Sequence, residues 1–341
     1  MIEVKNLSKA YGAKKALESL SFTASDGEIL GFLGPNGAGK STTMNILTGY
    51  LSSDQGEVRL NGIDILSDPV RAKKEIGYLP EHPPLYPDMT VDEYLGFIYD
   101  LKKVKLPKRE HLHGIRALVK VDDVRGRVIR NLSKGYQQRV GFAGALVGDP
   151  KILILDEPTV GLDPKQIIEI RALIKKLGQN RTVVLSSHIL PEIQAVCDKI
   201  VIINKGKLVA DGAADTLAAG LSKEHDVVVQ IEGEIDHVRK LLSAVAGVKK
   251  VTDGKNLAKN VTEYDVETAP GTDVRRGIFA AMSENNCPIL MMRTKELTLE
   301  EIFLRVTAGE RFDTAAAEEA DQSQSANNEN GGADLDGNTK A

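Results

Sequence analysis

Residues 29–42 read ILGFLGPNGAGKST. An apolar run of strand type ends in a glycine-rich turn, and a lysine followed by two hydroxyl residues opens a helical stretch, KSTTMNILTGYL. Gly34 to Thr42 fits the spacing G-x-x-x-x-G-K-[ST] in the strand-to-helix setting that this motif needs. In such a loop Gly34, Gly37 and Gly39, with Pro35, Asn36 and Ala38 between them, let backbone N–H groups curl around phosphates. Lys40 then places a cation on the β/γ oxygens, and the Ser41 hydroxyl, with Thr42 behind it, stands at a helix N-terminus as a Mg²⁺ ligand. A glycine turn serving only chain reversal has no need of lysine and serine in this register.

Outward from that loop the chain alternates. Strand-type runs (MIEVKNL, GEILGFLG, KILILDEP, TVVLSSH, KIVIINKGKLV) are separated by helical stretches such as PKQIIEIRALIKKLG, which predicts an α/β core of buried parallel strands. The shorter early runs and the NKGK turn predict antiparallel additions. From residue 222 the order becomes strand DVVVQI, helix IDHVRKLLSAV, strand VKKVTD, strand NVTEYDVET, helix DVRRGIFAAMSE, strand PILMMRT, the β-α-β-β-α-β order of a ferredoxin-like α+β unit. A helix, LTLEEIFLRVT, follows, and after Phe312 the chain lacks aromatics and is rich in Ala, Asn, Gly and acids, the composition of a disordered acidic tail. The expected division is 1–221, 222–308 and 309–341.

The 341 residues carry 27% charged and 42% hydrophobic side chains, an ordinary globular composition, and a net charge of −4 gives no basic footprint for nucleic acid. Cys197 and Cys287 have no partner spacing for zinc or a disulfide framework, which fits a reducing compartment. No stretch approaches the roughly 20 apolar residues of a membrane span, and MIEVKNLSKAYGAKK has no apolar signal-type core. The chain itself is not expected to cross a bilayer.

A second chemical signal is KILILDEPTVGLDP, a buried strand running into two acids. Asp156 at the strand end is placed to hold Mg²⁺ through water, and Glu157, one residue on, can face a γ-phosphate and polarise an attacking water. Up to this point a GTPase or a small-molecule kinase would read the same way. The segment NLSKGYQQRV, 131–140, adds a second anion-binding helix start: Ser133 can cap the helix, so that its hydroxyl and the following N–H groups face a phosphate along the favourable direction of the helix dipole.

That segment resembles the signature of the ATP-binding subunits of the ATP-binding-cassette (ABC) transporter family, similar to LS-G-G-Q and standing here as Leu132, Ser133, Lys134, Gly135 and Tyr136. The resemblance covers about residues 2–220 and runs in order through Tyr11, the Gly34–Thr42 loop, GYLPEH, the signature, Asp156 and Glu157, GLDP with Asp163, and His188 after TVVLSS. It implies a P-loop ATPase fold with a helical signature subdomain, ATP and Mg²⁺ as cofactors, Tyr11 stacked on adenine, Glu157 and His188 as catalytic residues, and Ser41, Glu81 and Asp156 around the metal. It further implies head-to-tail pairing of two copies, a homodimer being the expected form, in which the signature of one serves the ATP of the other while Glu81 and Asp163 couple the site to its neighbours. The second phosphate site would then belong to a partner's nucleotide.

Three positions need separate treatment. Glu81 stands where the family usually has Gln, and Lys134 and Tyr136 replace the usual Gly and Gln; Lys134 is expected either beside phosphate or facing solvent. In TVDEYLGFIYDLKKV, Val91, Tyr94, Leu95 and Ile98 share one helix side, either packed in the core or lining a groove for a membrane subunit. The wording IGYLPEHPPLY and the ending LTLEEIFLRVT resemble the gliding-motility and multidrug-exporter branch, which implies export, a separate transmembrane permease subunit, and a cytoplasmic location, peripheral on the inner face of the plasma membrane. The competing expectation is a soluble family member that remodels a ribosome or nucleic-acid complex; one cassette without sustained heptads favours the transporter, with no nucleic acid as partner.

Overall fold

A computed structural model of the chain describes residues 1–213, 217, 226–258, 260–269, 272–294 and 303. The first compact unit opens with β1 (Ile2–Tyr11), β2 (Lys14–Ala24) and β3 (Ile29–Leu33), and passes through the glycine loop into α1 (Lys40–Leu47). β4 (Gln55–Leu60), β5 (Ile63–Asp64), α2 (Pro69–Lys74) and β6 (Ile76–Leu79) follow. Three longer helices come next, α3 (Val91–Leu101), α4 (Lys108–Val119) and α5 (Lys134–Leu146). The chain then returns to alternation with β7 (Ile152–Asp156), α6 (Pro164–Gly178), β8 (Thr182–Ser187), α7 (Leu190–Gln194), β9 (Lys199–Asn204) and β10 (Lys207–Ala213).

These strands make two sheets. An antiparallel one has the order β2-β1-β4-β5, and a second has the order β10-β9-β3-β8-β7-β6, parallel except for the β10 edge. Every residue of β3, β7 and β8 is buried, which is why ILGFL and ILILD are apolar without alternation: a parallel strand is covered on both faces. Register aligns Leu33 with Ser187 and Asp156 with Ser186, so the segments leaving β3, β7 and β8 emerge side by side at one edge. That is the edge where open α/β sheets bind ligands, outside the carboxyl ends of their strands. The antiparallel sheet contributes to the same hydrophobic cluster; Phe22 of β2 meets Phe32 of β3 with ring centroids 5.3 Å apart.

Helices α3, α5 and α6 are started by their own sequence. Thr90 and Glu93 form a reciprocal capping box at α3, Asp163 and Gln166 form another at α6 with Pro164 in its first turn, and Ser133 caps α5.

The second compact unit contains β11 (Val227–Glu232), α8 (Ile235–Ala244), β12 (Val248–Ala258), β13 (Val261–Thr268), α9 (Arg275–Glu284) and β14 (Ile289–Thr294). The β-α-β-β-α-β order is the one read from the sequence, and the sheet runs β12-β13-β11-β14 with all neighbours antiparallel. Its core gathers Val229 and Ile231 from the sheet, Tyr264 and Val266 from β13, and Val238, Leu242, Ile278 and Met282 from the helices. β12 runs beyond the expected VKKVTD. The turn-forming DGKN stretch stays extended against β13, with register breaks on either side of Asn256, and a Cβ on Gly254 would come to 3.0 Å from the Glu263 carbonyl. The boundary at 221/222, the helix LTLEEIFLRVT apart from Phe303, and the 309–341 tail lie outside the described residues. Among the described residues no helix is long and apolar enough to cross a membrane.

Phe32 is fully buried where the two sheets' side chains meet, so Phe32→Ala should remove about 3–5 kcal/mol of stability. Urea denaturation followed by circular dichroism checks this, and a change under about 1 kcal/mol would place the core elsewhere.

Candidate functional site

At the carboxyl edge of the parallel sheet lies a cleft of about 390 Å³, lined by Tyr11, the Pro35–Thr42 loop, Glu81, Glu157 and His188, with Lys14, Ala16 and Val160 completing it. The loop can take its shape only with glycine at two positions. Gly39 sits at φ 113° with a notional Cβ 2.8 Å from the Ala16 carbonyl, and a Cβ on Gly34 would lie 2.5 Å from that of Ile203. Lys40 is buried, and its Nζ donates to the Gly34 carbonyl at 2.7 Å. Burial lowers its pKa, and the carboxylates of Glu157, Asp156 and Glu81 oppose that shift. A cation is therefore held ready, pointed back at its own loop, among three acids.

Glu157 follows the last residue of β7 in a left-handed conformation, φ 48°, and its amide donates to both the carbonyl and the hydroxyl of Ser186 at 3.2 Å. That reversal turns the glutamate into the cleft, where His188 Nδ1 lies 2.9 and 3.0 Å from the two carboxylate oxygens. Burial raises the Glu157 pKa, and the contact with His188 works against it. Asp156 is raised by burial as well, with the Ser186 hydroxyl bonded to it as the opposing influence. Tyr11, at the end of β1, is half exposed at the cleft.

The five signature residues do not line this cleft. Ser133 accepts from the Tyr136 amide at 3.4 Å as the cap of α5, Leu132 is buried, and the Tyr136 hydroxyl donates to Asp123 at 3.1 Å. Gly135 is packed so tightly on Gln166 that a Cβ would meet its amide at 2.5 Å. Lys134 is exposed, and its ammonium end lies over Gly161, in the GLDP loop of the same chain. Asp163, in that loop, accepts from the Gln166 amide at 2.9 Å. Further along α5, Gln138 donates to the Pro158 carbonyl at 2.9 Å, tying the helix to the loop after Glu157.

Of the α3 side chains, Val91, Tyr94 and Leu95 are buried, while Ile98 and Tyr94 line a separate cavity of about 220 Å³ with Tyr78, Pro83 and Lys102. Burial pushes the Lys102 pKa down to about 8, and its Nζ donates to the Val147 carbonyl at 2.8 Å, at the C-terminus of α5. Sequence reading missed the residues that brace the site: Ser186, Ser187, Thr159 and Glu192, all buried. The signal for the two serines was in TVVLSSH, where hydroxyls end a strand that is apolar elsewhere; a lone glutamate in a short helix gave none.

A family model described as "ABC transporter" matches residues 17–160. The linearmycin resistance ATP-binding protein LnrL of Bacillus subtilis (strain 168) is 31% identical over 313 residues, which are 90% of this chain and 98% of that protein. The chain belongs to the ABC transporter family. The daunorubicin resistance ATP-binding protein DrrA3 of Streptomyces coeruleorubidus is also 31% identical, across 91% of this ABC subunit and 96% of its own length. Among solved structures, an ATP-binding subunit of an ABC transporter superposes with a TM-score of 0.59 at 30% identity, covering 64% of this chain and 92% of its own. A dimeric ATP-binding cassette in a post-hydrolysis state with ADP and Pi superposes at 0.58 and 26% identity, over 62% and 98%. This chain is thus an ATP-binding subunit of an ABC transporter, with ATPase activity, and its parallel-sheet unit has the P-loop ATPase fold.

Burial raises Glu157 above the ordinary glutamate pKa of 4.5, so its proton-accepting form is lost at a higher pH than for an exposed glutamate. If Glu157 is the group that accepts the proton from water, ATP turnover should rise with pH through an acid limb centred above 4.5, as read from kcat across buffers of constant ionic strength. A limb at or below that value would mean that another group sets the rate.

Proposed function

We propose that this subunit energises a membrane exporter by binding and hydrolysing ATP between two head-to-tail copies. The observation that carries the reading is a division of groups: Lys40, Glu157 and His188 share one cleft, while Ser133 opens α5 outside it with its helix start exposed. A γ-phosphate held by Lys40 and the loop of one copy would be completed by Ser133 and the helix dipole of the other, making ATP the clamp. Hydrolysis then removes the shared group, and the pair opens.

Within one site the residues divide the work. Tyr11 offers a ring for adenine at the cleft, Asn36, Gly37 and Gly39 offer backbone N–H groups while the Ala38 amide is bonded to the Pro35 carbonyl at 3.1 Å, and Lys40 exchanges its bond to Gly34 for phosphate oxygen. Glu157 polarises the attacking water; His188, now on the Glu157 carboxylate, is near enough to trade that contact for one to the γ-phosphate. Ser41, Asp156 and Glu81 are hard oxygen donors near the Lys40 cation, a set that fits Mg²⁺ with phosphates and water. Bound there, Mg²⁺ would neutralise phosphate charge, and Glu81, an acid in place of the usual amide, would bring it a charged ligand. Lys134 and Tyr136 add a cation and bulk beside Ser133, and Asp163 anchors the GLDP loop at the same face.

Residues 1–221 are read as the ATP-binding domain, 222–308 as a ferredoxin-like accessory domain and 309–341 as a tail. The exporter assignment draws on relatives named for resistance to linearmycin and daunorubicin and for bacitracin transport, the last 34% identical over 69% of this chain and 80% of its own. It calls for a separate transmembrane permease and a place on the cytoplasmic face of the membrane.

Replacement of the base, Glu157→Gln, should slow ATP turnover by at least about 10²-fold while leaving ATP binding intact. Near-normal turnover would remove Glu157 from the chemistry. Ser133→Arg should abolish ATP-dependent dimerisation in light scattering but spare nucleotide binding by the single chain; loss of that binding would show the signature serving its own nucleotide. Finally, Glu157→Gln protein recovered from solubilised membranes in ATP should bring down a polytopic membrane protein. Ribosomes or nucleic acid in its place would move the function to the soluble branch.

A further inference from the structure

One buried carboxylate stands apart from the cleft and yet touches both segments that serve it. Glu192, in α7, is only 4% exposed. Its Oε2 accepts from the Thr159 hydroxyl at 2.5 Å and from the Ser187 hydroxyl at 3.3 Å, and its Oε1 lies 3.9 Å from the Arg171 guanidinium on α6. Thr159 is two residues beyond Glu157, and Ser187 immediately precedes His188. Ser187 is itself fixed, since its hydroxyl accepts from the Ile189 amide at 3.0 Å. An acid withdrawn from water is costly unless its oxygens are occupied, so a carboxylate kept here by two hydroxyls and a guanidinium is poorly explained as packing alone.

We propose that Glu192 is a positioning residue for hydrolysis: its carboxylate bridges the loop after β7 to the end of β8 and thereby sets how Glu157 and His188 face each other. The bridge rests on the reading of Glu157 as the group that polarises water. Glu157 sits in a left-handed backbone conformation, which a residue with a side chain keeps only where its surroundings over-determine it. The amide of Glu157 is held by Ser186, and the chain two residues on is held by Glu192 through Thr159. With the second restraint gone the glutamate can still bond His188, but its direction toward the phosphate is no longer imposed. Nucleotide affinity comes from the Gly34–Thr42 loop, which Glu192 does not touch, so the consequence falls on turnover and not on binding. The Arg171 contact extends the same bridge to α6, the helix that starts at Asp163.

The test measures kcat, KM and the nucleotide Kd of the full chain carrying Glu192→Ala, Thr159→Val, Thr159→Ser or the first two together, with Glu157→Gln as reference. Glu192→Ala and Thr159→Val should each lower kcat by about tenfold or more with KM and Kd within about twofold of the unmodified protein. Thr159→Ser, which keeps the hydroxyl, should restore most of the rate, and the double variant should be no slower than the slower single one because both remove the same bond. Valine fills the volume of threonine, so Thr159→Val carries the test even where Glu192→Ala folds poorly. The bridge is overturned by a kcat within about twofold of normal for both Glu192→Ala and Thr159→Val, or by a loss of affinity as large as the loss of rate. If Glu157→Gln is slow while those variants are normal, only the bridge fails; if Glu157→Gln turns over normally, the reading of the base fails and the bridge with it.

Discussion

The parallel pairing of β8 with β3 on one side and β7 on the other, in a register that ends the three strands at nearly one level, is the constraint on which the site depends. Strands covered on both faces can carry polar chemistry only where they stop, and here three stop together. The glycine loop leaves β3, Glu157 follows β7 and His188 follows β8. Residues more than a hundred positions apart thus converge without any long loop having to be ordered for the purpose. The rest of the unit keeps that edge level: the antiparallel sheet fills out the core around Phe32, and α5 reaches back to the loop after Glu157 through Gln138.

Charge in the cleft is balanced by enclosure. Lys40 is driven toward neutrality by burial and held ionised by three acids, while Glu157 and Asp156 are driven toward protonation by burial and held back by His188 and Ser186. Each group is paired with one that it could release. The Gly34 carbonyl occupies Lys40 and the Glu157 carboxylate occupies His188, so polar groups that would otherwise be stranded are satisfied within the chain.

Much of this was legible in the sequence because it depends on local rules. Gly34 to Thr42 names its own loop, ILILDE announces a buried strand ending in acids, and Ser133 and Asp163 cap α5 and α6 as their residue types lead one to expect. The order of the second unit followed from period alone. Pairwise facts fixed only in three dimensions were not legible. VKKVTD reads as a complete strand, but pairing with β13 carries β12 on to Ala258. No sequence rule says that Glu192 meets Thr159 across 33 residues, that Lys134 lies over Gly161, or that Tyr136 reaches Asp123. Val91 and Leu95 turned out to be core, while Tyr94 and Ile98 line a cavity, a division that amphipathic spacing does not reveal.

Lys102 gives α5 a property that neither end of the helix has alone. Thirteen residues of α-helix make a rod about 20 Å long, stiff against bending on the scale of a side-chain displacement. One tip is only capped from within, the Ser133 hydroxyl accepting from the helix's own Tyr136 amide; at the other a buried ammonium grips the Val147 carbonyl from the wall of the second cavity. Between them Gln138 pins the shaft to the loop after Glu157. A rod held at shaft and butt has few soft ways to move by itself, so its Ser133 tip travels with the loop after Glu157.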